Sequence, residues 1–250
     1  MKKTVAIFLL LAIIIISFSY AGFYYFLNLK SPGNIVNNSF RRKIISHYFL
    51  RKIFRLNQIG DARFDFATDN EFTKLKIIVY YQEGEVLYQE TVEKAAQEIK
   101  NVIKKQEITI KKLPLLTLID DFADDNRLSQ LIKKYPAKWS TFDKTAALQI
   151  FILKKYALHP TYAGLVKDDH NIFLFMDAIR DVSDRQSSTQ DAEVSTILHE
   201  FGHLLGANHV KDESCIMSGK VENLTDGLRA TINTNYCPED LKEIETAISF

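Results

Sequence analysis

Apolar residues run from Thr4 to Leu29 with no charged position among them. At about 1.5 Å of rise per residue, a helix of that length crosses a hydrocarbon core of ~30 Å. The pattern predicts a transmembrane or signal-anchor segment over residues 1–30. A cleaved signal peptide competes with it, because Val5 to Ile16 is a signal-length apolar stretch and Ser19-Tyr20-Ala21 places small residues at cleavage offsets. The continuation through Phe23, Tyr24, Tyr25, Phe26 and Leu27 favours the uncleaved anchor, with a secreted form as the alternative. Ser31 to Ser39, with its Pro, Gly and Asn, reads as a linker. Phe40 to Leu56 then carries Phe40, Ile44, Ile45, Tyr48, Phe49 and Ile53 at three- and four-residue spacing, which predicts one amphipathic helix. Its basic residues fit two situations: a helix lying on an anionic membrane surface, or one docked on a globular domain with a solvated basic face.

From about Thr73 the period changes. Leu75 to Tyr81 is rich in β-branched and aromatic residues and stops at Glu83-Gly84, the signature of a strand. Thr91 to Lys105 carries Val92, Ala95, Ala96, Ile99, Val102 and Ile103 on one helical side. Glu107 to Leu113 alternates apolar and charged residues up to Pro114, as a half-buried strand does. Leu128 to Tyr135 reads as a short helix. Leu148 to Leu153 and Ile172 to Met176 read as inner strands, and Gly164-Leu165-Val166 as a short edge strand between them along the chain. This alternation predicts an α/β (α+β) domain with a mixed twisted sheet over residues 73–250, preceded by one transmembrane helix and by the linker and basic helix of residues 31–72.

Composition changes this picture little. Lys and Arg number 32 against 31 Asp and Glu, so the chain lacks the basic excess of a nucleic-acid-binding protein, and no nucleic-acid partner is expected. Two cysteines exclude a disulfide-built mini-protein and a four-thiolate zinc site. Lys2 and Lys3 favour an inside N-terminus, whereas Lys30, Arg41, Arg42 and Lys43 pull the other way. Long domains translocate regardless of such charges, and the expectation is a single-pass membrane protein with its bulk outside the cytoplasm.

The chemistry lies between Ser187 and Met217. Ser187-Ser188-Thr189-Gln190 has the form of a capping box, and an apolar-periodic run follows. Inside it stands His199-Glu200-Phe201-Gly202-His203. On a helix, residues four apart share a face, so His199 and His203 can direct two imidazoles at one ion, with Glu200 beside them and free to reach a metal-bound water. Gly206 follows three residues later and His209 three after that. A glycine with positive φ ends the helix and turns the chain, which lets His209 return as a third ligand. Three imidazoles leave the fourth position of a Zn²⁺ ion to water, the open arrangement of a catalytic site.

The full H-E-x-x-H-x-x-G-x-x-H pattern, followed by Cys215-Ile216-Met217, resembles the metzincin zinc metalloproteases, with features of both matrixins and adamalysins. The strong match covers Ser195 to Met217. The resemblance implies a zincin fold with an active-site helix and a Met-turn, one catalytic zinc held by His199, His203 and His209, and Glu200 as general base activating the zinc-bound water. It implies Gly206 as the turn glycine and Met217 as the hydrophobic floor under the metal. The implied activity is that of a zinc-dependent endopeptidase acting on a protein or peptide, whose extended substrate adds to the edge strand at Gly164, Leu165 and Val166. Ser218 and Gly219 follow Met217, so a Met-turn tyrosine ligand of the astacin kind is not expected.

Two other classes stay open on the sequence: a catalytically silent, zinc-stabilised membrane module, and a metal-dependent amidase acting on a non-protein substrate such as a cell-wall peptide. Cys215 and Cys237 are expected to pair if the domain lies in an oxidising compartment, the alternative being two free buried thiols. Asp120, Asp121, Asp124 and Asp125 suggest calcium only weakly, because they lack an EF-hand spacing, and a solvated acidic loop is the plainer reading. Asp168, Asp169 and His170 read as a surface turn in preference to a second ion site. Gln58-Ile59-Gly60-Asp61 reads as a turn. Asn37-Asn38-Ser39 and Asn223-Leu224-Thr225 are glycosylation sequons.

Overall fold

A computed structural model describes residues 2–28, 35–116, 122–186, 189–219 and 232–249. Asp120, Asp121, the Asn223 sequon and the Ser187-Ser188 start of the capping box lie outside the described residues. The chain forms two compact units, residues 1–56 and 57–250.

In the first unit, helix α1 (Lys2–Asn28) contains a 20-residue stretch, Leu9–Asn28, long and apolar enough to cross a membrane. Where the pattern predicts one helix over Phe40–Leu56, two are found, α2 (Ile35–Ile45) and α3 (Tyr48–Ile53). Helix α2 begins inside the expected linker. The break falls at Ser46-His47, where His47 is extended (φ −119°, ψ 112°) and the Ser46 hydroxyl donates back to the Lys43 carbonyl (2.8 Å). That local bond competes with continuing the helix.

The second unit begins at Asn57, ahead of Thr73, because residues 57–72 pack into it. Helix α4 (Arg63–Ala67) buries Phe64 and Phe66. The elements that follow are β1 (Lys74–Tyr81), α5 (Thr91–Val102), β2 (Glu107–Pro114), β3 (Phe122–Ala123), α6 (Asp125–Lys134), β4 (Thr145–Leu153), β5 (Lys155–Tyr156), β6 (Gly164–Val166), β7 (Asn171–Phe175), α7 (Met176–Gln186), α8 (Thr189–Leu204) and α9 (Pro238–Ile248). The main sheet has the order β2-β1-β4-β7-β6, with every pair parallel except β6–β7. It is mixed, as the alternation of elements predicts, and mostly parallel. β3 and β5 pair separately.

Inner strands of a parallel sheet are covered on both faces, and β4 and β7 are apolar and buried almost throughout. On one face Tyr80, Phe151 and Phe173 occupy matched registers of β1, β4 and β7. Their rings stack at centroid separations of 5.1 and 4.9 Å, and Leu128 and Leu131 of α6 share their cluster. On the other side α8 packs against β6, β7, α5 and α7. β2, the outer parallel strand, exposes Lys111 and Lys112, a charged edge that discourages further pairing.

Some boundaries differ from the periodicity. α5 stops at Val102 because Ile103 is extended. Met176 opens α7 instead of closing β7. Helix α7 is not foreseen, since β7 runs into it with no turn residue between them.

Lys105 follows this shortened helix and is itself buried. Its ammonium donates to the carbonyls of Asp65, Thr68 and Phe72, tying residues 65–72 to the sheet. Burial pushes it down to about 8 against the pull of Asp65 and Asp69. Lys105→Met fills the space and leaves three carbonyls without their donor. The expected cost is about 2 kcal/mol, read as a fall in Tm of roughly 4–8 °C by thermal unfolding. An unchanged Tm would mean the three carbonyls find other donors.

Candidate metal centre

Helix α8 carries the motif because its inner face is apolar and its end is encoded. Ala192, Val194, Ile197, Leu198, Phe201 and Leu204 are buried. Glu193, also buried, accepts from the Thr91 hydroxyl (2.6 Å) and the Tyr88 amide (2.9 Å), which locks the helix to the start of α5. Burial raises the Glu193 carboxyl above its ordinary range.

At the other end the Gly206 amide donates to the His203 carbonyl and the Ala207 amide to the Gly202 carbonyl. Gly206 has φ +85°. This is a Schellman ending, and a side chain there would be strained by the positive φ and would meet Arg63 Cδ at 3.0 Å. Arg63 is held in turn by the carbonyls of Gly60 and Ala247.

The turn brings His209 back. One ligand atom from each of His199, His203 and His209 lies within 4.8 Å of the other two, and the ring centroids are 4.8, 5.3 and 4.9 Å apart. His199 is fully buried, His203 half-buried and His209 exposed, so the group opens toward solvent on one side. His199 Nδ1 lies 2.7 Å from the Ile216 carbonyl and His203 Nδ1 3.0 Å from the Ala207 carbonyl. A carbonyl only accepts, so each Nδ1 donates, and in the neutral ring the lone pair then falls on Nε2. Those two Nε2 atoms face each other at 3.1 Å. Two neutral imidazoles converging lone pair to lone pair fit a cation between them. The carbonyl partners supply the outer support that orients metal-binding histidines. The donor set therefore fits zinc: three imidazole nitrogens, no thiolate among them, and an accessible side.

Glu200 is 3% exposed. Its carboxylate lies directly against the edge strand: a Cβ built on Gly164 would fall 2.6 Å from Glu200 Oε1 and 2.7 Å from Thr196 Cγ2. Gly164 is thus required by close approach. The expected edge strand is β6, the last strand on this side of the sheet among the described residues, and the fold sets it beside the expected base. Leu165 and Val166 complete it, pairing with Phe173 and Ile172.

Met217 is fully buried under α8. A Cβ on Gly202 would overlap its sulfur, so the glycine between Glu200 and His203 makes room for the methionine. The segment after His209 is fixed to this turn, since the Val210 amide donates to the Met217 carbonyl (2.9 Å) and Val210 bridges Ser218 in parallel. Gly219 lies against His209.

The buried Asp240 belongs to this centre, although in the sequence it reads only as part of a helix start. Its Oδ2 accepts from the amides of Ile216 (3.0 Å) and Cys237 (3.1 Å), and its Oδ1 from that of Met217 (3.0 Å). The same carboxylate caps α9. The Cys215–Cys237 disulfide, with Cα atoms 5.4 Å apart, ties the same two segments covalently. The peptide whose carbonyl orients His199 is therefore held from three directions. Tyr236, buried beside Cys237, donates its hydroxyl to the Leu198 carbonyl (2.6 Å). The spacing Pro238-Glu239-Asp240 signals a helix cap. That the cap also holds the turn depends on long-range packing.

Other clusters are absorbed by the fold. Asp124 caps α6, accepting from the Arg127 amide, and Asp125 accepts from Tyr156 (2.8 Å) and Lys167 (2.6 Å). Lys167 and Tyr156 hold the Asp125 carboxyl below its ordinary range. Calcium is left without support there. Asp168 turns the β6–β7 hairpin by accepting from the His170 and Asn171 amides, and Asp169 pairs with His170 (2.5 Å). Gln58-Ile59-Gly60-Asp61 is a turn closed by its own aspartate. His159 stacks on Tyr162.

No protein-family model and no curated protein matches this chain. Among solved structures it is similar to archaemetzincin from Methanopyrus kandleri, at 14% identity and a TM-score of 0.52, over 73% of this chain and 98% of that one. A zinc-dependent peptidase from Methanocorpusculum labreanum gives 14% identity and a TM-score of 0.46, over 67% and 99%. Metalloproteinase-II from Bacteroides fragilis gives 15% and 0.43, over 74% and 56%. At these identities the likeness is one of fold: a mixed α/β domain with a mostly parallel sheet, shared with the archaemetzincin.

Proposed function

We propose that this chain is a membrane-anchored zinc endopeptidase of the metzincin type. The observation that carries the reading is the convergence of His199, His203 and His209, two of them with Nε2 turned inward by carbonyls at Nδ1, beside a buried Glu200 that abuts the sheet's edge strand. The fold shared with an archaemetzincin supports it. Zinc, when bound, supplies Lewis acidity, lowering the pKa of a water toward ~7 and polarising the substrate carbonyl.

The chain's own residues do the rest. Glu200 takes the proton of the attacking water and passes it to the leaving amine. Strand β6 offers its outer edge to an extended peptide, and Gly164 keeps that edge close to the Glu200 carboxylate. Ile216 and Ala207 fix the two imidazole tautomers, and Asp240 holds Ile216. The Cys215–Cys237 bridge supports placing this unit outside the cytoplasm, in an oxidising compartment, with α1 as the anchor.

The test is zinc content measured together with cleavage of casein and of a peptide library by the full chain. One zinc per chain, cleavage inside unstructured sequence, loss of cleavage with a chelator and its return with zinc are expected. Full zinc occupancy without peptide cleavage would turn the reading toward a silent zinc-stabilised module. Cleavage of cell-wall peptide alone would turn it toward the amidase.

A further inference from the structure

We infer that α2 and α3 form a seat for anionic phospholipid headgroups at the membrane surface beside α1. The inference rests on reading α1 as a membrane span, and three independent observations lead to it.

The first is charge. Residues 1–60 contain nine Lys and Arg and no Asp or Glu, whereas residues 61–250 contain 23 against 31. A chain of net charge +1 thus divides into a wholly cationic N-terminal part and an acidic remainder. Cations placed just beyond a span are drawn to anionic headgroups.

The second is depth. α3 folds back along α1. The Tyr20 hydroxyl donates to the Ile53 carbonyl (2.7 Å), and Phe54 stacks on Tyr20 (5.6 Å, 17°) and meets Phe23 edge-on (5.1 Å, 72°). Arg41 donates to the Leu27 carbonyl. Twenty residues counted from Thr4, about 30 Å at 1.5 Å per residue, end at Phe23. The end of α3 is therefore held beside Tyr20 and Phe23, at the boundary of a span that starts with Thr4. Tyrosines concentrate where acyl chains give way to headgroups.

The third is exposure. Phe49 is 71% exposed, Phe40 51% and Ile53 40%, and Lys43, His47, Lys52 and Arg55 are exposed with them. Three large apolar side chains exposed among cations on two short helices make the mixed surface of an interfacial helix. At a lipid boundary the same surface is matched on both counts: the aromatic and aliphatic groups enter the upper acyl region, and the ammonium and guanidinium groups reach up to the phosphates.

The experiment uses the full chain, disulfide intact, in phosphatidylcholine vesicles doped with spin-labelled phosphatidylglycerol or spin-labelled phosphatidylcholine. The readout is the motionally restricted lipid fraction. Phosphatidylglycerol should be preferred about threefold or more at low salt. The preference should collapse near 1 M salt, where the screening length is about 3 Å. It should also fall in the variant Lys43→Gln, Lys52→Gln, Arg55→Gln. A spin label at Phe49→Cys should report the upper acyl region.

Chain retained by vesicles after an alkaline wash but showing no phosphatidylglycerol preference overturns the lipid seat while leaving the span standing. Chain released by the wash overturns both. A preference equal in wild type and the triple variant overturns the assignment to α2 and α3, and a water-exposed label at position 49 overturns the depth.

Discussion

Glu200→Gln is expected to abolish peptide cleavage while leaving zinc content at the wild-type level. The side chain sits in a slot closed by Gly164 and Thr196 and is 3% exposed, so a replacement of the same size is needed to keep the local packing. Glutamine has that size and keeps one carbonyl oxygen. It cannot take a proton at neutral pH. The three histidines receive their orientation from the carbonyls of Ile216 and Ala207 and from the Gly206 turn, none of which involves the Glu200 carboxylate, so the metal should stay. Loss of a positioned general base lowers turnover by about 10²–10⁴. The measurement is kcat/KM on a quenched peptide, paired with metal analysis of the same preparation. Cleavage within tenfold of wild type, with zinc retained, would remove Glu200 from the role of base. Loss of zinc together with activity would mean that the carboxylate takes part in holding the metal.

The three histidines are legible in the sequence because their placement depends on local rules: a helical period for His199 and His203, and one glycine that must end the helix for His209. The buried strands β1, β4 and β7 are legible for the same reason, being continuous apolar runs whose neighbours are Gly, Pro and charge. β3 and β5, two residues each, carry no period at all, and α7 follows β7 without punctuation. Residues 57–72 read as tether, although Phe64, Phe66 and Phe72 are core, because the burial of Phe66 and Phe72 is set by partners far along the chain: Phe201 in α8 and Trp139. Asp240 and Lys105 are invisible as site or core residues for a related reason. Each is a charged group whose value lies in several backbone partners that only the folded chain assembles, and a charged residue by itself reads as surface.

Asp240→Ala should show how much the centre depends on such a group. The variant removes the acceptor for the amides of Ile216, Met217 and Cys237 in a fully buried place. Each buried donor left unpaired costs about 1–3 kcal/mol, and some regain is expected as the turn relaxes. A net loss of about 3 kcal/mol corresponds to a fall in Tm of roughly 6–12 °C for a unit of this size. The disulfide between Cys215 and Cys237 keeps the two segments adjacent, so the variant should still fold, and reduction should cost it more than it costs wild type because both links hold one turn. The second consequence reaches the metal. The Ile216 carbonyl that fixes His199 belongs to the peptide chain Asp240 restrains, and outer partners of ligating histidines are worth about 10–100-fold in metal affinity. Zinc competition with a chelator should therefore show weakened binding in Asp240→Ala at a temperature where it remains folded, with Asp240→Asn intermediate because its amide oxygen still accepts. A lowered Tm with unchanged zinc affinity would confine Asp240 to stability and leave the orientation of His199 to the disulfide and the Val210–Met217 pairing.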